Sequence, residues 1–233
     1  MKPGFLFAET AMDMTAVTQL LGDALPLMLK GAAWTLLLAV ASVFFGAIIG
    51  TFVAITRLAK MPGLAQFAAL YVSCMRGTPL LVQLFVIYFG LPSIGIQFDP
   101  ITAGILGLSL NVGAYLSETI RGAINGVEHG QWNAARSLGL TQAQTLRHVI
   151  GPQALRLAVP SLSNSLISLI KDTSLVSVIA VSELMLATKE VIATTFQPFP
   201  LYLAAAAMYW AMSASFETLQ TKLEVRLNRS YLR

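Results

Sequence analysis

Four ionisable residues stand inside an otherwise apolar chain: Arg76, Glu118, Lys171 and Asp172. An ionised group in hydrocarbon is costly, and it either pairs with another group or lines a polar path. Arg76 offers a guanidinium fork that can grip a carboxylate, Glu118 or Asp172 an acceptor for an ammonium, and Gln83 and Asn111 add neutral hydrogen-bonding groups. A zwitterionic solute leaving water needs both kinds of partner, because each ion buried without compensation costs several kcal/mol. The same charges would serve equally well as a structural network between helices, and the sequence leaves both readings open. Lys171 and Asp172 are adjacent, so on a helix they diverge; each is expected to look elsewhere, toward Glu118 or Arg76.

Other chemistry has little to stand on. No stretch fits Gly-x4-Gly-Lys-Ser/Thr, so the chain has no P-loop for ATP phosphates, and neither Gly-x-Ser-x-Gly nor His-Glu-x-x-His occurs. An intramembrane enzyme using Glu118, Asp172 or His148 as acid or base is therefore a weak alternative, and no catalytic residue is expected. His129 and His148 are the only histidines and Cys74 the only cysteine, which leaves no Cys/His metal set and no internal disulfide. Cys74 lies in an apolar run and is expected to pack as a small hydrophobe.

The elements that must hold these residues are membrane helices. Of 233 residues 56% are hydrophobic and 11% charged, with a mean hydropathy of +0.71, whereas soluble domains run near one quarter charged. A spanning helix needs about 20 apolar residues, and five runs qualify: 31–56, 64–91, 101–120, about 157–181, and 199–216. The first carries Ser42, Gly46, Gly50 and Ala54 at every fourth position, a smooth face that lets another helix approach closely. The second is interrupted by Arg76-Gly-Thr-Pro79. Arg76 lies about 12 residues, or roughly 18 Å, into that run, and Gly77 and Pro79 disfavour regular helix there, which is tolerated only where the backbone is buried in protein or lines a cavity. The fourth run is the weakest, since Lys171-Asp-Thr-Ser174 sits inside it. The start, Met1 to Met14, lacks the pattern of a cleaved signal peptide, so the first apolar run is expected to stay as a membrane helix.

Charge sets the orientation. Arg57, Lys60, Arg121, Arg136, Arg147, Arg156, Lys222, Arg226, Arg229 and Arg233 fall on one side of the five spans. The other side holds Lys2, Lys30 and Lys189 with Glu9, Asp13, Asp23, Asp99, Glu183 and Glu190. The positive-inside rule makes the first side cytoplasmic, placing the N-terminus outside and the C-terminus inside, and it accounts for the net charge of +4 without nucleic acid.

The longest polar interruption, 130–152, then lies in the cytoplasm. It reads as a short helix, a stop at Gly139, a Thr141-x-x-Gln144 capping box and a second short helix ended or bent by Pro152. Such an object can be docked against.

Asn133-Ala134-Ala135, Gly139, Ile150 and Pro152, with Arg136-Ser-Leu-Gly139 and Pro152-Gln-Ala-Leu-Arg156, resemble the EAA loop of permease subunits of bacterial ABC importers. Asn133 departs from the pattern, standing where the family usually has Glu. Arg76-Gly-Thr-Pro-Leu-Leu-Val-Gln83, Tyr88-Phe-Gly-Leu-Pro92, Gly113-Ala-Tyr-Leu-Ser-Glu118, Arg121-Gly-Ala and Lys171-Asp-Thr-Ser-Leu175 are similar to the polar amino-acid permeases. The resemblance covers nearly all of 25–230. Gly95-Ile-Gln-Phe-Asp-Pro100, Gly107-Leu-Ser-Leu-Asn111 and Leu201-Tyr-Leu-Ala-Ala, with Tyr209-Trp and the Leu-Asn-Arg229 tail, look most like cystine permeases within that group.

The resemblance implies an all-α membrane protein with five transmembrane helices, the type I ABC importer transmembrane domain, in the bacterial inner membrane. It implies a segment 1–24 outside, the domain at 25–221 with a helix-turn-helix coupling loop at about 123–156, and a cytoplasmic tail at 222–233. Gly130, Trp132, Asn133, Ala134, Ala135, Gly139, Thr141 and Pro152 would couple to the ATPase; Arg76, Gln83, Asn111, Glu118, Lys171 and Asp172 would line the substrate path. Implied partners are a pair of cytoplasmic ATP-binding subunits that hold ATP and Mg, an extracytoplasmic solute-binding protein, and a second permease subunit, homodimer rather than heterodimer being favoured. The implied cargo is L-cystine or another polar amino acid. The competing class is an ion-driven secondary transporter, whose signal would be paired inverted repeats with matching broken helices; five spans make such a pair awkward.

Overall fold

The computed structural model describes residues 14–228, which are helical with short connections. The first helix, α1, runs Met14–Leu58 over 45 residues, with Pro26 inside it. At 1.5 Å per residue that is about 68 Å, roughly twice a bilayer's hydrocarbon core, so the helix projects well beyond the membrane. The expected outer segment 1–24 is thus helical from Met14, and the rest of it lies outside the described residues.

The smooth face of α1 is buried as its spacing predicts. Ser42, Gly46, Gly50 and Ala54 all pack inward, against α4, which spans Pro100–Asn125. A methyl group on Gly46 would come within 2.4 Å of Val112 Cγ1, and one on Gly50 within 2.8 Å of the Gly113 carbonyl. Only glycine permits this approach of two backbones.

Between them the second run breaks as its Gly and Pro require. Helix α2, Leu64–Gly77, ends at Thr78, which is extended at φ −120° and ψ 147°, the conformation forced on a residue before proline. Helix α3 restarts at Leu80–Phe85 and runs through a π turn, Val86–Gly90, and a 3-10 turn, Leu91–Ile94. The two halves meet at 109°. Gly95, at φ 86°, closes the turn, and Asp99 caps α4 by accepting from the N–H groups of Ile101 and Thr102.

The polar loop holds α5, His129–Ser137, and α6, Gln142–Thr145. Pro152 does not end the second of these. A π turn at Leu146–Ile150 leads straight into α7, Gly151–Asp172, with Pro152 in its first turn, where its missing N–H leaves the wider turn to carry the chain through. Helix α7 stops earlier than the expected span. From Thr173 to Ile179 the β-branched, serine-containing run tightens into a 3-10 helix, which drives Val176, Ile179 and Val181 into the core around Leu84, Leu108 and Leu116. Helix α8, Leu184–Thr195, is a separate element that the five apolar runs do not include. The last helix, α9, is Pro198–Asn228.

Among the described residues α1 and α4 are long and apolar enough to cross a membrane, and the bent pair α2–α3 makes a third. The remaining long helices, α7 and α9, carry more polar residues and do not qualify on length and composition alone.

One expectation about a single residue is overturned, and another residue is buried unexpectedly. Cys74 is exposed, because it lies on a face of α2 that no other described element covers. Glu183, one of the acids placed by charge on the outer side, is completely buried. It caps α8 by accepting from the N–H groups of Met185 and Leu186, and it also accepts from the Thr35 and Tyr209 hydroxyls. A buried carboxylate needs such partners, and all of them come from distant or unforeseen elements.

Candidate functional site

The broken span supplies the first half of the site. At the break the Met75 and Thr78 carbonyls lose helical partners, and Gln83 Nε2 donates to both, at 2.9 and 3.1 Å, and to Thr78 Oγ1. Asn111 of α4 joins them, donating to Gln83 Oε1 at 3.1 Å and to the Met75 carbonyl at 3.2 Å. Gln83, itself buried, braces the break and does not line the space beside it.

That space is a cavity of about 440 Å³ between the break, α4 and α7, lined by Thr78, Asn111, Tyr115, Asn164, Ser165, Ser168 and Asp172 among others. Asp172 is partly buried, at the C-terminal end of α7. Its neighbour Lys171 points away, is exposed and lies outside this lining, as adjacent helical residues diverge. Thr78, Tyr115, Asn164, Ser165 and Ser168 were missed in the sequence. The polar positions Ser161, Asn164, Ser165 and Ser168 at spacings of three and four in the weakest run were the available signal.

Glu118 lies elsewhere. Its carboxylate pairs with Arg57, with Arg121 at 2.8 Å and with Arg76 at 3.8 Å, so one anion ties α1, α2 and α4 at one level. The expected pairing of Lys171 or Asp172 with Glu118 or Arg76 is not found among the described residues. Arg76 keeps 44% of its side chain exposed and stands 5.3 Å over the Tyr115 ring, a cation–π arrangement that sets it beside the cavity wall.

The polar loop folds as its local signals dictate. Gly139, at φ 74°, donates to the Arg136 carbonyl at 2.9 Å while Leu140 N–H donates to the Ala135 carbonyl at 3.2 Å, the two bonds of a Schellman stop. Thr141 and Gln144 form both arms of a capping box. Two of the expected coupling residues face inward: Ala135 is 2% exposed, and Trp132 packs on a small core of Ala123, Val127, Ile150 and Ala154. Gly130, Asn133, Ala134, Gly139, Thr141 and Pro152 are exposed. Leu138, not singled out in the sequence, is 79% exposed at the glycine stop, an apolar knob on a polar loop.

Comparison with known proteins points the same way. Residues 64–229 match the profile of the family described as binding-protein-dependent transport system inner membrane component. The probable amino-acid ABC transporter permease protein YckA of Bacillus subtilis is 44% identical over 207 residues, 89% of this chain and 92% of its own. The L-cystine transport system permease protein TcyB of the same organism is 42% identical over 205 residues, 88% of each chain. The crystal structure of an amino acid ABC transporter with histidines superposes with a TM-score of 0.85 at 37% identity, covering 88% of this chain and 96% of that one.

Proposed function

Because the chain belongs to the family of binding-protein-dependent transport system inner membrane components, we propose that it is the permease subunit of an ATP-driven importer of polar amino acids, L-cystine being the favoured cargo. The family places it in the inner membrane as a multi-pass transport component, with no chemistry of its own. The observation that carries the reading is the pairing of two objects: a polar cavity against a broken span, and an exposed, helix-containing loop between the end of α4 and the start of α7.

In the cavity Asp172 takes the ammonium of the substrate, and Asn111, Asn164 and Ser168 add neutral hydrogen bonds. Arg76, half exposed beside Tyr115, takes the carboxylate as it leaves the cavity. Glu118 and Gln83 hold the frame around these groups, one by gathering arginines and the other by bracing the break. The loop is gripped from the cytoplasm by one of two ATP-binding subunits, with Leu138, Asn133, Ala134 and Thr141 as its contact face. Moved by the ATPase, it tilts α4 and α7 and opens the cavity to alternate sides. A second copy of the permease completes the path, and a solute-binding protein delivers cargo to the outer face, where the N-terminus lies. The similarity to a cystine permease supports the cargo, while relatives named for glutamine transport hold the class open to other polar side chains.

The test is reconstitution with the ATPase and binding protein of the same system. ATP hydrolysis is expected to rise when cargo-loaded binding protein is added, most with L-cystine. Stimulation by no amino acid would remove the reading.

A further inference from the structure

We infer that a cleft between α1 and α8 is a binding site for a phosphoethanolamine lipid headgroup. The inference rests on the membrane placement of the family and not on the proposed cargo or coupling. The two helices pack closely at Gly31, where an added methyl would lie 2.9 Å from the Leu184 Cα, and beside that contact lies a cleft of about 260 Å³. Lys30 and Trp34 line one wall, Ser182 and Glu190 the other.

Lys30 and Glu190 are both exposed, and they form no ion pair with each other or with another described residue. Opposite charges that face one cleft without meeting leave room for a ligand carrying both signs in the reverse order. Its anionic oxygen meets Lys30 and its ammonium donates to Glu190, while Ser182 adds a hydroxyl. Trp34 supplies the indole that favours the headgroup level of a bilayer.

The next turns of α1 distinguish a lipid from a free zwitterion. Residues at spacings of three and four share a helix face, and the face of Lys30 and Trp34 continues through Leu37, Phe44 and Ile48, exposed by 52%, 61% and 56%. A headgroup seated at Lys30 therefore has an uninterrupted apolar stripe on which to lay an acyl chain. Phosphatidylglycerol lacks the ammonium, and phosphatidylcholine has the charge but no N–H to donate to a carboxylate.

The experiment is native mass spectrometry of the purified full chain, in detergent doped with dioleoyl phosphatidylethanolamine, phosphatidylglycerol or phosphatidylcholine. Wild-type protein is expected to retain phosphatidylethanolamine about fivefold over either of the others, the ratio set by a partly exposed charge contact. Glu190→Gln is expected to abolish that preference, and Lys30→Gln to lower retention of all three. Equal retention of the three lipids by wild type would overturn the proposal without recourse to any variant, as would a preference that survives Glu190→Gln. Water-soluble phosphoethanolamine at equal concentration is expected to displace no lipid; full displacement would show a site for free zwitterions instead.

Discussion

Asp172 and Arg76 separate a substrate site from a structural network most sharply. Asp172 lines the cavity without an ion-pair partner among the described residues, so Asp172→Asn removes no pair, and the protein is expected to reach normal levels with binding-protein-stimulated ATPase activity retained and uptake lost. Arg76→Ala withdraws the longest of three contacts to Glu118. The remaining arginines still neutralise that carboxylate, so assembly is expected to survive while uptake falls. Poor assembly of both variants would instead mark the charges as structural, since breaking a buried pair leaves a lone charge, and normal uptake in both would leave them without a functional role. At the N-terminal end of α4 the Asp99 carboxyl is held below its usual range by the Thr102 hydroxyl and the N–H groups beside it. Its folded value is depressed, so its contribution is present at neutral pH and is lost as pH falls through that value. Asp99→Asn keeps a capping residue and is expected to flatten the acid limb of a thermal-stability profile below about pH 5; an unchanged limb would count against the cap.

Elements divide into those whose cause is local and those whose cause is remote. The break at Gly77–Pro79, the stop at Gly139, the capping box and the small-residue face of α1 were legible because each follows from a few neighbouring residues. Buried Glu183 and the separate helix α8 were not, because Thr35, Tyr209 and the packing of Leu184 against Ala24, Met28 and Ala32 decide them from far along the chain. The exposure of Cys74 was hidden for a related reason: apolar sequence in a membrane protein does not say whether protein or lipid covers it. The glycine contact between α1 and α4 yields a direct test. Gly46→Ala puts a methyl 2.4 Å from Val112 Cγ1 and 3.2 Å from the Ser109 carbonyl, and overpacking of this kind costs about 1–3 kcal/mol. Val112→Ala in the same chain is expected to restore part of the lost thermal stability, and a fully additive double variant would refute the contact. In the loop, Gly139→Val forces a β-branched residue to φ 74° and is expected to abolish pull-down of the ATPase. Asn133→Glu, exposed, is expected to shift that affinity by no more than about 1 kcal/mol; complete loss of assembly would show that the site demands a neutral group. Leu138→Asp is the sharper probe, since it leaves the Schellman bonds intact and changes only the exposed knob.

For the molecule as a whole, α4 connects the working parts. It packs on α1 through glycines, carries Asn111 and Tyr115 into the cavity, holds Glu118 against three arginines, and leads into the loop through Asn125. Under the proposed coupling, a push on the loop would reach the cavity along this single continuous helix. The central claim is that ATP hydrolysed on a partner subunit, and not an ion gradient, drives cargo through this chain. Uptake of radiolabelled L-cystine into proteoliposomes holding the permease, its ATPase and its binding protein measures this directly. Uptake is predicted when ATP is supplied on the loop side, and none when a sodium or proton gradient is imposed in its absence. Uptake driven by either gradient in vesicles lacking the ATPase would contradict the claim.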